Sequence, residues 1–90
     1  MPERFNRTST EQINITFYIK NLPLEFTLPD VADLFSLYGV VREASLGYSL
    51  HGNRLVYTRE ATVIVLMYPS MCEQALNDIH RISNMEVYTT

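Results

Sequence analysis

Two spacings of hydrophobic residues alternate along the 90-residue chain. Runs rich in β-branched and aromatic residues occur at positions 15–19, 40–48, 61–68 and 85–88, and they predict four strands. In two of the stretches between these runs, apolar residues recur every three or four positions, which predicts amphipathic helices. The chain is therefore expected to have the element order βαββαβ.

The first predicted helix has signals at both ends. Thr27 is followed three residues later by Asp30, a capping-box spacing that predicts Thr27 as the N-cap. Pro29 falls in the first turn, where its missing N–H group costs nothing. Gly39 is expected to end the helix as its C′ residue. The apolar stripe of this helix is predicted to be Val31, Leu34, Phe35 and Tyr38.

The second half of the chain carries similar signals. Ser70 and Glu73 form another capping-box spacing, and this helix is expected to continue to about His80. Positions 49–59, which include the turn signal His51-Gly52-Asn53, are predicted to be a long hairpin loop. Positions 1–13 are predicted to be a disordered or loosely attached N-terminal arm, so that the folded domain spans residues 14–90. The stripe of the second helix is predicted to be Cys72, Ala75, Leu76 and Ile79.

This element order predicts an α+β, ferredoxin-like fold, in which a four-stranded antiparallel sheet carries two helices on one face. The opposite face of such a sheet stays open. We expect function to reside on that open face, on the loops at its edges, or on the outer sides of the helices.

Composition narrows the classes of function. Seven Lys and Arg residues against ten Asp and Glu give a net charge of −3, so the chain lacks the basic footprint of strong nucleic-acid binders. A single cysteine excludes an internal disulfide framework. No signal segment or membrane-spanning apolar run is present in the sequence, and we expect an intracellular protein, cytoplasmic or nuclear.

Catalytic and metal-binding patterns are not recognisable. Cys72 lies on the apolar stripe of its helix, where a cysteine is usually a small core residue and not a nucleophile. His80 lies two turns further on, too distant to pair with it on a straight helix. His51 has no other metal-ligand type near it in the sequence. We therefore expect no enzyme activity, no metal and no cofactor.

Three segments carry a resemblance to a known family. Phe17-Tyr18-Ile19-Lys20-Asn21-Leu22-Pro23 matches an RNP2 strand with its Asn-Leu-Pro exit, the segment Thr27 through Gly39 matches a first helix, and Cys72-Glu73-Gln74-Ala75-Leu76 matches the core of a second helix. Together they make residues 15–88 resemble the RNA recognition motif (RRM) family. The sequence as a whole is also similar to the N-terminal RRM of a subunit in a germline piRNA-processing complex, a likeness that no single motif carries.

The chain departs from that family where RNA is normally read. RNA-reading RRMs carry two aromatic residues on the RNP1 strand, which stack unpaired bases together with the RNP2 aromatic. When Ala61 is aligned with the small residue of RNP1, Glu60 and Thr62 occupy the two aromatic positions. Shifting the register brings Val63 or Val65 there, and no ring. Because each base–aromatic stack is worth ~1–3 kcal/mol, this departure implies a degraded RNA-binding face.

Two hypotheses about the open face remain. In the first, Tyr18 is a residual stacking platform supported by Lys20, Arg54 and Arg59, and the domain binds single-stranded RNA weakly. Alternatively, Tyr18 packs beneath whatever covers the sheet.

The second hypothesis is a protein-interaction site. If Val63 and Val65 face the helices, Ile64, Leu66 and Tyr68 face outward and form an apolar patch, which marks an interaction surface or a face covered by the chain itself. Leu37, opposite the stripe of the first helix, is a further candidate. We expect mainly a non-catalytic scaffold module in a ribonucleoprotein or RNA-processing complex. Its partner would be a protein, such as another RRM or a second copy.

Overall fold

The computed structural model describes residues 11–83 and 85–89, which form an α+β fold. One antiparallel sheet contains β1 (Ile13–Lys20), β2 (Val40–His51), β3 (Arg54–Met67) and β4 (Glu86–Thr89), in the order β2-β3-β1-β4. Helix α1 (Leu28–Ser36) connects β1 to β2, and helix α2 (Cys72–Ser83) precedes β4. Of the arm predicted for residues 1–13, residues 1–10 lie outside the described residues, and β1 already begins at Ile13.

Both helices pack against the same face of the sheet. Every second residue of β3 from Ala61 to Met67 is buried, and the residues between them are half-buried, as expected for a strand with one covered face. Burying each large aliphatic or aromatic side chain contributes roughly 1.5–3 kcal/mol, so this layer is the main source of stability. The core consists of Phe17, Ile19, Leu22, Val31, Phe35, Ala61, Val63, Val65, Met67, Ala75, Ile79 and Met85.

The start of α1 is as predicted, and its end is not. The Thr27 N–H group donates to Asp30 Oδ2 at 2.9 Å, and the Asp30 N–H group donates to Thr27 Oγ1 at 3.4 Å, which completes the capping box. The helix ends at Ser36, before Gly39. A Cβ atom on Gly39 would run into the backbone carbonyl of Leu66. The glycine is therefore required by the close approach of β2 to β3, and the prediction that it caps the helix is wrong.

The start of α2 also differs from the prediction. A short 3-10 helix, Pro69–Met71, replaces the predicted capping box at Ser70, and α2 then runs from Cys72 to Ser83. Proline supplies a preset φ that suits a tight first turn without a side-chain cap. Near the other end, the His80 Nδ1 atom lies 2.7 Å from the Met85 carbonyl oxygen and connects α2 to the start of β4.

The predicted long loop at positions 49–59 is wrong, because β2 and β3 continue to a two-residue turn. Gly52 alone in this turn has a positive φ, 65°, as in a type II′ turn. Such a turn matches the twist of the strands that it joins. The strands remain paired up to His51 and Arg54, so the segment is an extension of the sheet.

We call residues 48–57 the distal hairpin, because they extend beyond the rest of the sheet. The pairing of β3 with β1 stops at Ala61, and in the distal hairpin β3 pairs with β2 alone. At the junction, Gly47 stands opposite three residues of β3, including Arg59 with a φ of 62°. The Arg59 Nε–H group donates to the Leu22 carbonyl at 2.7 Å, and the Leu22 N–H group donates to the Arg59 carbonyl at 3.0 Å. These two bonds attach the junction to the end of β1.

Candidate functional site

The outer face is the side of the sheet opposite the helices. Strand alternation places the aliphatic residues Val40, Ile64 and Leu66 of β2 and β3 at one end of this face, beside Asn14 and Thr16 of β1. The other end carries the tyrosines and charged residues of β1 and β4. Outside the distal hairpin, the outer-face residues are Asn14, Thr16, Tyr18, Lys20, Val40, Glu43, Ser45, Glu60, Thr62, Ile64, Leu66, Glu86 and Tyr88.

The aliphatic end forms what we call the apolar patch: Val40, Ile64, Leu66 and Tyr68. Val40 is paired with Leu66 across the two strands and is more than half exposed. Ile64 and Leu66 are half-buried, and Tyr68 is 41% exposed just after β3. The structure therefore places the predicted residues Ile64 and Leu66 together on the outer face with Val40, and the predicted Tyr68 directly follows the end of β3. Sequence reasoning missed Val40, because its place beside Leu66 depends on strand pairing.

The other end of the outer face carries two adjacent tyrosines. Tyr18 and Tyr88 are paired across β1 and β4, and each is nearly half exposed. The Lys20 Nζ atom lies 5.9 Å from the centroid of the Tyr88 ring, within the range of a cation–π contact. The Tyr88 hydroxyl donates to Glu86 Oε1 at 2.6 Å, and this bond raises the pKa of Tyr88. Tyr18 and Lys20 were predicted as site residues, whereas Tyr88 was missed although the Glu86-Val87-Tyr88 alternation signals its face.

The two predicted arginines lie away from the tyrosines. Arg59 uses its Nε–H group to hold the Leu22 carbonyl, so its place is structural. Arg54 lies next to the hairpin turn, seven residues beyond Ala61 along β3, or roughly 23 Å away. The structure therefore does not assemble the four residues of the RNA-binding hypothesis into one site.

The charge of the outer face is acidic. Outside the distal hairpin, Glu43, Glu60 and Glu86 alternate onto this face, and Lys20 is the cation that accompanies them, whereas Arg54 lies on this face at the far end of the distal hairpin. Nucleic-acid binding gains much of its affinity when Lys and Arg side chains neutralise phosphates and displace their counterions. A face with more Glu than Lys therefore attracts nucleic acid poorly.

Leu37 is exposed, as predicted. It caps the end of α1, and 76% of its surface is accessible. It belongs to the helix layer and not to the outer face. A single exposed leucine is common in proteins and does not define a surface without apolar neighbours.

The distal hairpin has an apolar side that sequence reasoning missed. Tyr48 and Tyr57 are cross-strand neighbours with ring centroids 5.7 Å apart, and Leu50 pairs with Leu55 further out. Tyr57 packs against the core, which places all four residues on the helix side of the sheet. Leu50 and Leu55 are about 70% exposed. The signal was the alternation of apolar residues on both sides of Gly52-Asn53.

A groove lies on the helix side of β2, at the end of the strand away from the distal hairpin. We call it the α1–β2 groove; it has a volume of about 350 Å³ and runs between the first turns of α1 and the start of β2. Its walls are largely aliphatic, and Arg42 and Glu43 also line it. The lining residues are Leu28, Pro29, Ala32, Val41, Arg42, Glu43 and Ala44.

Cys72 carries the single thiol of the sequence. Cys72 is half-buried, and burial, together with the nearby Glu73 carboxylate, raises the pKa of its thiol and disfavours the nucleophilic thiolate. Among the described residues, no group of three or more His, Cys, Asp and Glu side chains is placed to hold a metal ion. None of the helices in residues 11–83 and 85–89 is long and apolar enough to cross a membrane.

Comparison with protein families and with curated proteins identified no relative of this chain. The sequence matches no protein-family model, and none of the curated proteins matches it significantly. Function must therefore be inferred from the residues and geometry of the chain itself.

Proposed function

We propose that the chain is a ferredoxin-like, RRM-type domain that acts as a non-catalytic protein-interaction module. Its setting would be a ribonucleoprotein or RNA-processing assembly, and the similarity noted for the whole sequence suggests small-RNA processing of the piRNA kind. The fold assignment is supported by the order of elements and by the central position of β1 and β3 in the sheet. The RNP2-like segment ending in Asn21-Leu22-Pro23 supports the family.

The apolar patch is the observation that carries the proposal. An open sheet face in contact with water normally alternates apolar residues inside with polar residues outside. Here Ile64 and Leu66 are aliphatic residues on the outer face, and Val40 extends them onto β2. A contiguous apolar surface of this kind is typical of a binding site for another protein.

The test substitutes one residue within the apolar patch and compares it with a matched residue outside it. Ile64→Glu is expected to abolish recovery of the wild-type set of proteins when the tagged chain is purified from cells of its source. Thr16→Glu is the control, because Thr16 is paired with Ile64 on the same face but contributes no large apolar surface. Circular dichroism should show that both variants fold. Equal recovery by all three chains would contradict the proposal.

Weak single-stranded RNA binding is the second candidate function. It is supported by the cross-strand pairing of Tyr18 with Tyr88, both exposed on the outer face, and by the position of Lys20 over the Tyr88 ring. Two exposed tyrosines can stack two bases at ~1–3 kcal/mol each, which partly replaces the missing RNP1 aromatics.

Fluorescence anisotropy with a degenerate single-stranded RNA pool at low salt separates the two functions. As a protein-interaction module, the domain should show no saturable binding tighter than ~10 μM. Saturable binding that Tyr18→Ala and Tyr88→Ala each weaken, and that salt reduces, would instead assign the tyrosines to RNA.

A further inference from the structure

Within the described part of the chain, no strand pairs with the outer edge of β2, and the strand itself protects this free edge poorly against pairing. Soluble proteins usually guard sheet edges with charges, prolines or very short strands. The opposite edge, β4, has 4 residues and carries Glu86. In contrast, β2 has 12 residues, and its positions 44–50 contain neither a charge nor a proline. A strand of this kind is a template for strand addition.

The backbone groups at this edge follow from the turn. The turn at Gly52-Asn53 is closed by the pair His51↔Arg54, so that pair is expected to exchange hydrogen bonds across the hairpin. The extra residues at the junction belong to β3, and β2 therefore alternates regularly beyond Ala44. This alternation directs the N–H and C=O groups of four residues toward the free edge: Ala44, Leu46, Tyr48 and Leu50.

Two complementary apolar features lie on the helix side of this same edge. Tyr48 and Leu50 project from the distal hairpin and are 56% and 68% exposed. The α1–β2 groove opens at the other end of the strand, with Ala32 and Ala44 in its walls. The large side chains and the apolar groove both expose hydrophobic surface to water. Contact between them would remove that surface from water, which is favourable.

We propose that this edge is a self-association site, in which two copies pair β2 with β2, antiparallel, about a twofold axis at Gly47. The inference rests on the proposed function as a protein-interaction module, but it uses a different surface. In this register Tyr48 lies opposite Leu46 of the second copy, and Leu50 lies opposite Ala44 of the second copy. The Leu50 side chain thereby enters the α1–β2 groove of the second copy. Twofold symmetry makes this contact twice.

The small size of Gly47 and the charges near both ends of the paired segment favour a second copy of the chain as the partner at the β2 edge. Gly47 presents no side chain at the axis, where the two backbones meet. On the outer face, the same register places His51 opposite Glu43 of the second copy, and Arg54 lies beside His51 across the hairpin. The basic end of each distal hairpin thus meets an acidic residue, which favours this register over others.

The area of the proposed interface determines how tightly the two copies are expected to bind. Pairing over positions 43–51 extends roughly 30 Å, and the molecule is 18 Å across in its thinnest direction. Roughly 500 Å² per copy would be covered, less than the ~800 Å² of a standard interface. A dimer with a dissociation constant on the order of micromolar is therefore expected.

Sedimentation velocity of the purified chain, from about 5 to about 500 μM, tests the proposal. The mass is expected to rise from that of a 10.4 kDa monomer toward that of a dimer. Leu50→Lys should weaken dimerisation at least ~10-fold, since it would bury a charge in the groove. Leu55→Lys is the matched control: Leu55 is equally exposed on the same side, but on the strand away from the edge, and it should leave dimerisation within ~2-fold.

A charge-swap mixture identifies the occupant. Ala32→Glu, in the groove wall, should by itself also prevent dimerisation. A mixture of Ala32→Glu with Leu50→Lys should dimerise, because each mixed pair has one Lys–Glu contact and one unchanged contact. A chain that stays monomeric throughout, a mixture without rescue, or equal losses from Leu50→Lys and Leu55→Lys would each overturn self-association at this edge. None of these results involves the apolar patch, and Ile64→Glu should leave dimerisation unchanged.

Discussion

The body of the sheet and the distal hairpin are built from the same two strands, with the same alternation of apolar residues. In the body, the inward residues of β2 and β3 lie beneath two helices, and Val63 and Val65 are completely buried. In the distal hairpin, Leu50 and Leu55 occupy equivalent inward positions, but no element of residues 11–83 and 85–89 covers them, and both are about 70% exposed. The alternation of apolar residues thus continues across the junction, but the helices cover only the body of the sheet.

This difference separates apolar residues that stabilise the fold from apolar residues that are available for binding. A two-stranded hairpin on its own is marginally stable in water. The distal hairpin is therefore held by its connection to the body, where Arg59 is bonded to Leu22, and by the packing of Tyr57 against the core. Its outer apolar residues contribute little to folding, so that a partner can cover them.

The largest expected effect is on the free energy of unfolding, which should fall much more for a truncation in the body than for one in the distal hairpin. Phe35→Ala, in the body beside Phe17, should lower the free energy of unfolding by ~3–5 kcal/mol. Leu55→Ala, in the distal hairpin, should change it by less than ~0.5 kcal/mol. Urea denaturation of the monomer measures both. A cost of several kcal/mol for Leu55→Ala would show that the distal hairpin is packed as the body is.

Removing one tyrosine hydroxyl from each region is expected to change stability by a smaller amount, and with opposite signs. In the body, the Tyr38 hydroxyl donates to Asp78 Oδ2 at 3.0 Å, whereas the buried Tyr57 hydroxyl has no hydrogen-bond partner among the described residues. Tyr38→Phe should therefore destabilise the fold by ~1 kcal/mol, while Tyr57→Phe should stabilise it by a similar amount. Thermal unfolding of the two variants provides the comparison. Destabilisation by Tyr57→Phe would mean that its hydroxyl does have a partner.

The smallest effect is a dependence of stability on alkaline pH. Burial, together with the Asp78 bond, raises the pKa of Tyr38 above its ordinary value of 10.0, and burial also raises the pKa of Tyr57. A raised pKa contributes stability that is fully present below pH 10.0 and is lost as the pH rises through the raised value. Urea denaturation above pH 10.0 should show a steeper loss for the wild type than for Tyr38→Phe or Tyr57→Phe. Parallel losses in all three chains would exclude these tyrosines as the cause.

Features with local causes were predictable from the sequence. The capping box of Thr27 and Asp30 depends on residues three positions apart, and the inward direction of Phe17 depends on strand alternation. The outward positions of Ile64 and Leu66 follow from the same period of two.

Features that depend on distant contacts were not predictable in the same way. Gly39 carries a helix-ending signal, but its role is set by the approach of a carbonyl on β3. Tyr88 reaches the outer face next to Tyr18 only through the register of a four-residue strand. The turn signal at Gly52-Asn53 predicts a loop over the distal hairpin, because no helix in the sequence signals a cover for the apolar residues that alternate on both sides of the turn.

The junction between body and distal hairpin has a consequence for insertions and deletions. Between the pairs Leu46↔Ala61 and Tyr48↔Tyr57, β2 contributes one residue and β3 contributes three. The excess is an even number, so the phase of β3 is conserved across the junction and Tyr57 faces the same way as Ala61. Losing or gaining a single residue there would turn the apolar side of the distal hairpin to the opposite face. Changes of two residues would preserve it, and lengths in related chains should therefore differ here in steps of two.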